Sequence, residues 1–539
     1  MIGSGFGGAV MAARLSAALS TLKPGARVLV LEKGSDPTGQ FDARSPGETL
    51  NAQGNRFRHS LSPRYLSTFA QLHTDPVGAH TPGTPSMTVV TGSALGGGSQ
   101  IYDGVSLRAP TEAFEQRRDG SRLWPALYSR QSLTPYYARV EQRLNVVRPE
   151  WTDARVPHWQ LMTKRDFVFA EGCRRIGATA VGLKIADKND ANEGWWNEGP
   201  RFEGRQSLTQ NYLLDAKLQG AEFRTGCTID SVEPTRDGYL VRGTDARSLT
   251  PIEEECRVLI IAGGSLGSTG LLLRSRDRFS GSRELDPHSL LGKKVSGNGD
   301  YGVTGEVGPQ FDRDVEGFKG KPMSSFCPSF FREHQFILIP FYAAPLYLAL
   351  GQFSTALTPR DPLAVGRRST EPAAGERDWG LAYKQRLQRF GSRMLTMGCL
   401  AFDACEGEIR LSPNEQATEV TWRETDAATE KRWSAAVTSM RRIYEALGGH
   451  LYLDGYRKEG TVHTAHPLGG ARMASEASLG VVDPNGESFS NPNLFVVDSA
   501  MIPSALGANP SLTIAAVAES IADRLVKGEG MRSLRERLS

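Results

Sequence analysis

The chain has 539 residues, of which 39% are hydrophobic and 23% charged, which predicts a soluble, globular protein large enough for two domains. A formal net charge of +3, with Lys and Arg spread along the chain and no zinc-finger or RNA-binding signature, predicts no nucleic acid partner. The six cysteines lack C-x-x-C spacing, so they favour a reducing compartment, and no metal site is predicted.

Residues 1–33 carry the pattern of a dinucleotide-binding unit. Three glycines fit G-x-G-x-x-G before an apolar helical run, and an acidic residue ends the apolar strand that follows. The glycines permit a tight turn, close approach of a pyrophosphate and packing of helix on strand, while the acid takes ribose hydroxyls. The N-terminal amides of the helix would face the phosphates. The predicted cofactor-binding residues of this unit are Gly3, Gly5, Gly8 and Glu32, with a generic loop as the alternative.

A unit of this kind needs a full strand before its glycine turn, yet Met1 and Ile2 alone precede Gly3. We expect either that the first strand is missing from this sequence or that its start was assigned too late. A missing central strand would leave its two neighbours unpaired and impair folding. No signal peptide is visible, so a cytoplasmic protein is expected. A late start would also have removed such a signal, which leaves secretion open.

A second glycine-rich stretch follows residues 35–90, which lack clear periodicity and are predicted as a long loop region. Gly96, Gly97 and Gly98 stand in a row before Ser99, with apolar residues on both sides. Consecutive glycines in an ordered domain indicate a backbone that passes very close to something flat or anionic. A flexible linker is the alternative interpretation.

The middle of the chain alternates between predicted helices and strands. Residues 107–200 predict helices and loops, including one helix with Thr134 as N-cap and Pro135 in its first turn. Strands are predicted around 223–262, and the last of them runs into a glycine turn at Gly263. Because this repeats the arrangement of the opening residues, we predict that the chain returns there to its first domain.

The apolar run 336–350 contains Pro340 and Pro345 and is shorter than the roughly 20 residues of a membrane helix. It predicts buried sheet in a second domain, or else an apolar wall or lid around a hydrophobic substrate. No transmembrane span is predicted.

The segment 461–526 places His466 in a stiff His-Pro-Leu-Gly-Gly turn and Asp498 at the end of a strand. A helix is predicted to begin at Pro510, with Asn509 or Ser511 as its cap. An imidazole titrates near neutral pH and can accept a hydroxyl proton, and an amide can orient the same hydroxyl. His466, Asn509 and Asp498 are therefore candidate site residues. The alternatives are an ordinary buried histidine, a helix cap and an acid that ends a strand.

Taken together, these segments resemble the glucose–methanol–choline (GMC) flavoprotein oxidoreductases, and within them the bacterial cholesterol oxidases. The motifs that carry the resemblance are the opening glycines with Glu32, Leu95–Ser99, Gly204–Leu213, Ala262–Thr269, Ser296–Asp300, His466–Gly470 and Gly507–Pro510. Their order along the whole chain, rather than any one of them, identifies the family.

The resemblance implies an α/β fold with FAD as cofactor. It implies a discontinuous, Rossmann-like FAD-binding domain, whose first strand is truncated in this sequence, and a substrate domain with a mixed or antiparallel sheet flanked by helices. The predicted FAD-binding segments are 1–106, 204–305 and 456–530, and the predicted substrate segments are 107–203 and 306–455.

The resemblance also implies site residues. It makes His466 the catalytic histidine beside flavin N5 and Asn509 its polar partner. Ile229 would read the adenine through its backbone, and Asp498 would lie near the ribityl chain. The cofactor-binding positions that the resemblance implies are Gly96, Gly97, Gly98, Ser99, Tyr102, Ile229, Gly263, Asp498, Ala508 and Pro510.

The sequence departs from the best-described cholesterol oxidases at two places. Those enzymes carry a glutamate over the flavin for isomerisation of the steroid, where the alignment puts Arg393 or Met394 here. Tyr102 stands where they have an asparagine. Oxidation is therefore predicted, and isomerisation is not.

The resulting prediction is FAD-dependent oxidation of a hydrophobic secondary alcohol such as a 3β-hydroxysterol, by hydride transfer to flavin N5 and reoxidation by O2 to H2O2. The predicted partners are this sterol-like alcohol and O2 or another electron acceptor. A lipid substrate would allow peripheral membrane contact, and the oligomeric state stays open. The alternatives are a dehydrogenase with a quinone or protein acceptor, a non-redox flavoprotein lyase, an NAD-dependent dehydrogenase and a non-catalytic binding protein.

Overall fold

The computed structural model describes residues 1–22, 25–42, 70–74, 86–151, 153–156, 160–187, 205–312, 314–315, 317, 320–341, 381, 384, 392–413, 417–422, 427–453 and 461–538. The α-helices among these residues, numbered in chain order, are α1 (Phe6–Leu22), α2 (Thr111–Glu115), α3 (Thr134–Arg143), α4 (Lys164–Arg175), α5 (Tyr212–Leu218), α6 (Gly264–Ser275), α7 (Phe331–His334), α8 (Ala427–Ala446), α9 (Ser511–Val526) and α10 (Gly528–Leu538).

The strands are β1 (Leu29–Glu32), β2 (Ala70–Thr74), β3 (Ser86–Gly92), β4 (Arg117–Arg118), β5 (Ser121–Arg122), β6 (Val146–Val147), β7 (Val181–Gly182), β8 (Ile185–Ala186), β9 (Glu222–Thr225), β10 (Cys227–Pro234), β11 (Tyr239–Asp245), β12 (Pro251–Cys256), β13 (Leu259–Ile261), β14 (Tyr301–Glu306), β15 (Ser325–Phe326), β16 (Phe336–Phe341), β17 (Met394–Ala401), β18 (Gly407–Leu411), β19 (Thr418–Trp422), β20 (His450–Leu453), β21 (Thr461–Thr464) and β22 (Leu494–Val496).

A parallel sheet gathers short strands from distant parts of the chain. Strand β1 pairs with β9, and β13 pairs with β22. Ile2 lies between these two pairs and forms parallel bridges to Leu31 on one side and Ile261 on the other. Its N–H donates to Ile260 O at 2.9 Å, and its carbonyl accepts from Ala262 N at 2.7 Å. The neighbours of the predicted central strand are thus joined through Ile2 and are not left unpaired.

Helix α1 follows this central position and is buried over its first two turns. Ala9, Val10, Met11 and Ala12 are fully buried. Consecutive buried apolar residues need other elements on more than one side, and α1 packs against α5 and α9. The first glycine turn therefore lies at the end of the parallel sheet, under helices from three parts of the chain.

A second, antiparallel sheet has the strand order β16-β17-β14-β20. Its face with Leu338, Val303 and Met397 packs against α8, whose Trp433 and Met440 are buried in the same core. The opposite face presents Ile337, Ile339 and Leu400 to a smaller apolar cluster. Strand β16 confirms the prediction of buried sheet for 336–341, and the rest of the run 336–350 lies outside the described residues.

The predicted loop region 35–90 is wrong at 70–74 and 86–90, which form strands, whereas residues 36–42 contain no helix or strand, as predicted. Strands β2 and β3 pair antiparallel, and β3 also pairs in parallel with β21 from the C-terminal part. The parts of this region at 43–69 and 75–85 lie outside the described residues.

The predicted cap of α3 is also wrong by one residue. Leu133 occupies the N-cap position, and Thr134 is the first helical residue, whose hydroxyl donates to Arg130 O at 2.9 Å. Thr134 is therefore bonded to the preceding turn, while Pro135 lies in the first helical turn as predicted.

The α/β fold class is confirmed, and the domain boundaries stay a prediction. The parallel sheet draws its strands from the three predicted FAD-binding segments, and the β16-β17-β14-β20 sheet lies mainly in the second predicted substrate segment. Within the described part of the chain, no helix is both long and apolar enough to cross a membrane.

Candidate active site

The first glycine turn is shaped mainly by the protein's own packing. A Cβ on Gly3, which has φ +93°, would lie 2.3 Å from Ala262 O, and one on Gly8 would lie 2.4 Å from Gly3 O. A Cβ on Gly7 would lie 1.7 Å from the backbone oxygen of Val497, just after β22. Position 7 therefore also requires glycine, which the sequence pattern did not indicate. Gly5 differs, because a Cβ there would meet no described atom within 4 Å. Gly5 thus presents bare backbone to open space.

Glu32 lies beside this turn and is buried. Its carboxylate accepts from Ser4 N at 3.1 Å, Ser4 Oγ at 2.6 Å and Gly34 N at 2.9 Å. Burial raises the pKa of Glu32 above its ordinary value, although these hydrogen bonds act in the opposite direction. Ser4 Oγ in turn accepts from Gly96 N at 2.9 Å. Ser4, which sequence reasoning missed, therefore connects the acid to the second glycine-rich stretch.

The second glycine-rich stretch touches the first. Gly97 to Gln100 form a short 3-10 helix after Gly96, which has φ +97°. A Cβ on Gly97 would lie 2.9 Å from the Cα of Gly5, whereas a Cβ on Gly98 would meet nothing within 4 Å among the described atoms. Two bare backbones, at Gly5 and Gly98, thus leave room for a flat or anionic group. We call this region, residues 3–8 and 96–99, the glycine cradle.

Arg205 supports the glycine cradle by holding the backbone that directly follows it, a role that sequence reasoning missed. Its guanidinium is buried and donates from Nη2 to Gln100 O at 2.6 Å and from Nη1 to Tyr102 O at 2.7 Å. Ser99 Oγ donates to Gly96 O at 2.7 Å and accepts from Leu208 N at 3.0 Å. The signal lay in the Gly204–Leu213 motif, which the sequence alone did not connect to residues 96–102.

Tyr102 lies beside the glycine cradle. Its hydroxyl donates to Gln206 O at 2.5 Å, and its ring meets that of Phe6 edge-on at 5.4 Å between centroids. The hydroxyl is therefore used inside the protein, so the predicted cofactor contact of Tyr102 rests on its ring and backbone alone.

Asp498 and Gly263 meet at the end of the parallel sheet. Asp498 accepts from Gly264 N at 2.8 Å, from Ala500 N at 2.7 Å and from Ser268 Oγ at 2.5 Å. Gly263 N donates to the same Ser268 hydroxyl at 2.8 Å. Burial raises the pKa of Asp498 above its ordinary value. Both predicted cofactor-binding residues lie beside the glycine cradle, since a Cβ on Gly7 would lie 3.2 Å from the Asp498 Cα and one on Gly3 would lie 2.8 Å from Gly263 N.

Ile229 belongs to a different sheet from these residues. It is on β10, in the antiparallel sheet β10-β11-β12, next to a bulge before Ser231. The neighbouring Asp230 interacts electrostatically with Lys33, which follows Glu32 in the chain. The backbone role of Ile229 toward an adenine stays a prediction.

His466 is held by a carboxylate. Its Nδ1 lies 2.7 Å from Asp300 Oδ2 and 2.9 Å from Oδ1, and its side chain is 20% exposed. Its backbone N–H donates to Thr464 Oγ1 at 2.8 Å, and that hydroxyl lies 2.8 Å from Asp300 Oδ2. Sequence reasoning noted Asp300 within a motif but gave it no role.

His466 also contacts Asn509, as the resemblance implied. Asn509 Nδ2 lies 3.1 Å from His466 Nε2. Asn509 Oδ1 is buried and finds no hydrogen-bond partner among the described residues. Leaving such an atom unpaired costs about 1–3 kcal/mol, so an unpaired acceptor beside an imidazole indicates a position for a ligand that donates.

The backbone before Asn509 is held by Asn298, which sequence reasoning noted within the same motif as Asp300 but gave no role. Asn298 Oδ1 accepts from Leu506 N at 2.8 Å and Gly507 N at 3.2 Å, and its Nδ2 donates to Ala508 O at 2.9 Å. The predicted residue Ala508 is thus a backbone anchor in this structure.

The predicted cap of α9 is wrong. Pro510 occupies the N-cap position without a side-chain cap. The Asn509 amide turns to His466, and Ser511 Oγ donates to Val105 O at 3.4 Å. The helix start thereby frees Asn509 for the site.

The turn that carries His466 and the turn that carries Asp498 are linked through the start of α6. Ser265 Oγ donates to Gly469 O at 2.7 Å, and Ser265 N donates to Ser499 Oγ at 2.8 Å. The turn that carries His466 and the turn that carries Asp498 therefore share one support.

Arg393 and Met394 lie far from this site. Met394 pairs with Glu306 at the end of β14, and Arg393 Nη2 lies 3.5 Å from Glu306 Oε2. Asp300 precedes the other end of the same strand, roughly 17–20 Å away at about 3.4 Å per residue. The alignment that placed Arg393 or Met394 over the flavin is therefore wrong.

A parallel sheet with a glycine cradle and an adjoining imidazole–amide pair defines a dinucleotide-binding α/β protein. The family model described as GMC oxidoreductase matches its N-terminal part to residues 7–277 and its C-terminal part to residues 404–518. The chain belongs to the GMC oxidoreductase family. Its members are FAD-binding flavoproteins, so the chain is an alcohol oxidoreductase with FAD as cofactor.

Curated relatives align along nearly the whole chain. A long-chain-alcohol oxidase of Arabidopsis thaliana is 24% identical over 577 positions, which cover 98% of this chain and 67% of the relative. A cholesterol oxidase of Mycobacterium tuberculosis is 25% identical over 559 positions, which cover 97% of this chain and 90% of the relative.

Solved structures share the fold. A fungal aryl-alcohol oxidase has a TM-score of 0.59 and 14% identity, with 97% of this chain and 98% of that chain covered. A pyridoxine 4-oxidase from Mesorbium loti has a TM-score of 0.61 and 16% identity, with 97% of each chain covered.

The residues present fit FAD. Gly5 and Gly98 leave open the space that a Cβ would fill, and Glu32 lies beside them. The unpartnered Oδ1 of Asn509 lies next to His466. The glycine cradle would hold the pyrophosphate and part of the flavin, since bare backbone allows the closest approach.

Proposed function

We propose that this protein is an FAD-dependent oxidase of a hydrophobic alcohol, with a 3β-hydroxysterol such as cholesterol as the favoured substrate and O2 as the electron acceptor that yields H2O2. The observation that carries the proposal is the contact between His466 Nε2 and Asn509 Nδ2 at 3.1 Å, beside the unpartnered Asn509 Oδ1.

The chemistry assigns a separate task to each residue. When bound, FAD takes the hydride that leaves the carbinol carbon. His466 would accept the hydroxyl proton at Nε2, because an imidazole nitrogen is a suitable base near neutral pH. Asn509 cannot act as a base, but its amide can fix the direction of the substrate oxygen. The carbon–oxygen double bond of the product then replaces the broken C–H and O–H bonds.

Apolar side chains around Asn509 support a hydrophobic substrate. A Cβ on Gly507, which has φ +60°, would lie 3.0 Å from the ring of Phe402 and 3.3 Å from that of Phe331. On the other side, Ser511 bonds Val105, which belongs to the apolar cluster with Leu400. Burial of apolar surface would contribute about 25 cal/mol per Å2 to binding of a lipid alcohol.

A long-chain aliphatic alcohol is the second candidate substrate. The similarity to the Arabidopsis thaliana long-chain-alcohol oxidase favours it, at an identity close to that with the cholesterol oxidase. The described apolar cluster suits either substrate class. A direct comparison of cholesterol with a saturated primary alcohol decides between them.

An anaerobic titration of the purified protein tests the proposal. We expect cholesterol to bleach the flavin absorbance in stopped flow, and readmission of O2 to restore it with release of H2O2. His466→Gln and Asn509→Ala should each slow bleaching by about 10²-fold or more, the scale for loss of a base or an oriented donor. His450→Gln is the matched control, because His450 lies beside Glu306, at the other end of β14.

Each negative outcome of the titration leads to a different conclusion. No bleaching by any alcohol would contradict the proposal and favour a non-redox lyase. Bleaching that is reversed by a quinone or protein acceptor but not by O2 would make the protein a dehydrogenase. Unchanged rates in both site variants would overturn the assignment of His466 and Asn509.

A further inference from the structure

We propose that Asp300 is a positioning residue that holds His466 in the tautomer with hydrogen on Nδ1, so that Nε2 is the acceptor for the substrate hydroxyl. The proposal rests on the proposed function for its catalytic consequence. Its structural content, a carboxylate that selects one imidazole tautomer, can be tested without turnover.

Both partners of His466 require the same tautomer. A carboxylate has acceptors only, so the two contacts of 2.7 and 2.9 Å from Asp300 to Nδ1 require a hydrogen on Nδ1. On the other side, the Nδ2 amide group of Asn509 donates, and at 3.1 Å it needs a lone pair on Nε2. The other tautomer would set acceptor against acceptor at Nδ1 and donor against donor at Nε2.

Asp300 cannot turn away from His466 without loss of further contacts. The Thr464 hydroxyl lies 2.8 Å from Asp300 Oδ2 and accepts from the backbone N–H of His466 at 2.8 Å. The Asp300 side chain is 11% exposed. The residue before it, Gly299, is fixed through its N–H, which donates to Asp403 Oδ2 at 3.0 Å. The carboxylate thus sits on a backbone that is itself anchored.

The tautomer matters because it decides where the hydroxyl proton goes. With hydrogen on Nδ1, the one lone pair of His466 Nε2, which Asn509 Nδ2 contacts in this structure, can take the proton of a substrate hydroxyl that replaces this amide group. The substrate O–H bond then breaks toward Nε2, and the resulting imidazolium carries its positive charge beside the Asp300 carboxylate. No proton passes to Asp300. An amide at position 300 would donate to Nδ1 and place the hydrogen on Nε2, which removes the acceptor.

The first measurement is the 15N spectrum of FAD-loaded protein labelled in its histidine rings, with the His466 signals assigned from their loss in His466→Gln. We expect the wild-type protein to show hydrogen on Nδ1 and Asp300→Asn to show hydrogen on Nε2. Glu306→Gln is the matched control, because it removes a carboxylate 3.5 Å from another histidine, His450, at the end of β14 that lies far from Asp300. It should leave the His466 signals unchanged.

The second measurement is anaerobic flavin reduction by cholesterol. Asp300→Asn should lower the limiting reduction rate by about 10²-fold with little change in the substrate Kd, because the base is mispositioned while the apolar contacts remain. A wild-type His466 with hydrogen on Nε2 overturns the proposal, even if Asp300→Asn fails to fold. An unchanged tautomer, or an unchanged reduction rate, in Asp300→Asn also overturns it.

The two proposals fail in different ways. A wild-type protein that oxidises no alcohol refutes the proposed function, while its imidazole signals still decide whether Asp300 sets the tautomer. A protein that oxidises cholesterol with His466 in the other tautomer keeps the proposed function and refutes the role of Asp300.

Discussion

Asn298 donates from its side-chain amide to Ala508 O at 2.9 Å, across 210 positions of the chain. Two residues later, Asp300 contacts His466. Asn298 holds the backbone that leads into Asn509, and Asp300 holds the imidazole that Asn509 meets. The short segment Ser296–Asp300 therefore fixes both halves of the candidate active site relative to each other.

We predict that Asn298→Ala weakens both folding and flavin reduction. The change removes one donor and one doubly used acceptor, which leaves two backbone N–H groups and a carbonyl without their buried partner. Each such group costs about 1–3 kcal/mol, so the free energy of unfolding should fall by about 3 kcal/mol or more. Asn298 also has φ +61°, which alanine tolerates less well.

Urea unfolding and stopped-flow reduction measure these two effects. Asn298→Asp keeps the acceptor and loses the donor, so its loss of stability should be intermediate. An Asn298→Ala protein as stable and as fast as the wild type would refute the role of this side chain.

A second prediction separates two neighbouring glycines. A methyl group on Gly7 would lie 1.7 Å from a backbone oxygen, whereas one on Gly5 would meet no atom that the structure describes within 4 Å. Gly7→Ala should therefore lower the free energy of unfolding by about 3 kcal/mol or more, because the added methyl group forces overpacking and backbone strain. Gly5→Ala should fold but lose FAD.

The measurement for the glycine pair is thermal unfolding of the FAD-free protein, together with the FAD content after purification. Equal unfolding temperatures for FAD-free Gly7→Ala and wild type would contradict the packing argument. Full FAD occupancy in Gly5→Ala would contradict the assignment of Gly5 to the cofactor.

A third prediction concerns Arg205, which supports the glycine cradle. Arg205→Met keeps much of the side-chain length but leaves the carbonyls of Gln100 and Tyr102 without their donor, at a cost of about 2–4 kcal/mol. FAD affinity should fall with it, because those carbonyls end the stretch that would face the cofactor. Arg27→Met is the control, since Arg27 forms an exposed ion pair with Glu222. Comparable FAD release from both variants would contradict this role.

A fourth prediction concerns pH and Asp403, which anchors the same segment as Asn298. Its carboxylate accepts from Ser296 Oγ at 2.9 Å and from Gly299 N at 3.0 Å. Burial raises its pKa above the ordinary value. The folded protein therefore holds this proton more tightly, so the contribution to stability is complete below the unfolded pKa of about 4 and is lost as pH rises through the raised pKa.

Asp403→Asn cannot titrate at this position. The wild type should thus lose stability relative to Asp403→Asn as the pH rises from about 4. Urea unfolding of both proteins at a series of pH values above about 4 gives this difference. A difference that stays constant, or that grows in favour of the wild type with rising pH, would show that burial does not raise this pKa.

Local sequence patterns predicted the residues whose roles are local. Gly3, Gly8 and Glu32 follow from the spacing of one turn and one strand, and the structure places them together. The meeting of His466 with Asn509 came with the family resemblance, because no periodicity connects positions 43 residues apart. His466 and Asn509 now have a geometry, while their catalytic roles stay proposals.

The residues that escaped prediction act over long distances in the chain. Asn298 and Arg205 bond backbone carbonyls 210 and 103 positions away, and a side chain that serves a remote carbonyl leaves no local pattern. Strand β3 escaped for the same reason, since its parallel partner β21 is supplied by the C-terminal part. The cap at Thr134 failed for a local reason, because its hydroxyl bonds the turn before the helix.

The narrow junction at Ile2 has a thermodynamic consequence. Ile2 bonds Ile260 and Ala262 on one side, and the neighbouring Met1 O and Gly3 N bond Leu31 on the other. The two strand pairs of the parallel sheet therefore meet at residues 1–3, and the cofactor turn begins at Gly3. A ligand that binds this turn also stabilises the junction between the two strand pairs. At a ligand concentration of 100 times its Kd, binding adds about 2.7 kcal/mol to the free energy of unfolding. FAD binding and folding of the parallel sheet are therefore coupled, so that the cofactor stabilises the fold in addition to taking part in the reaction.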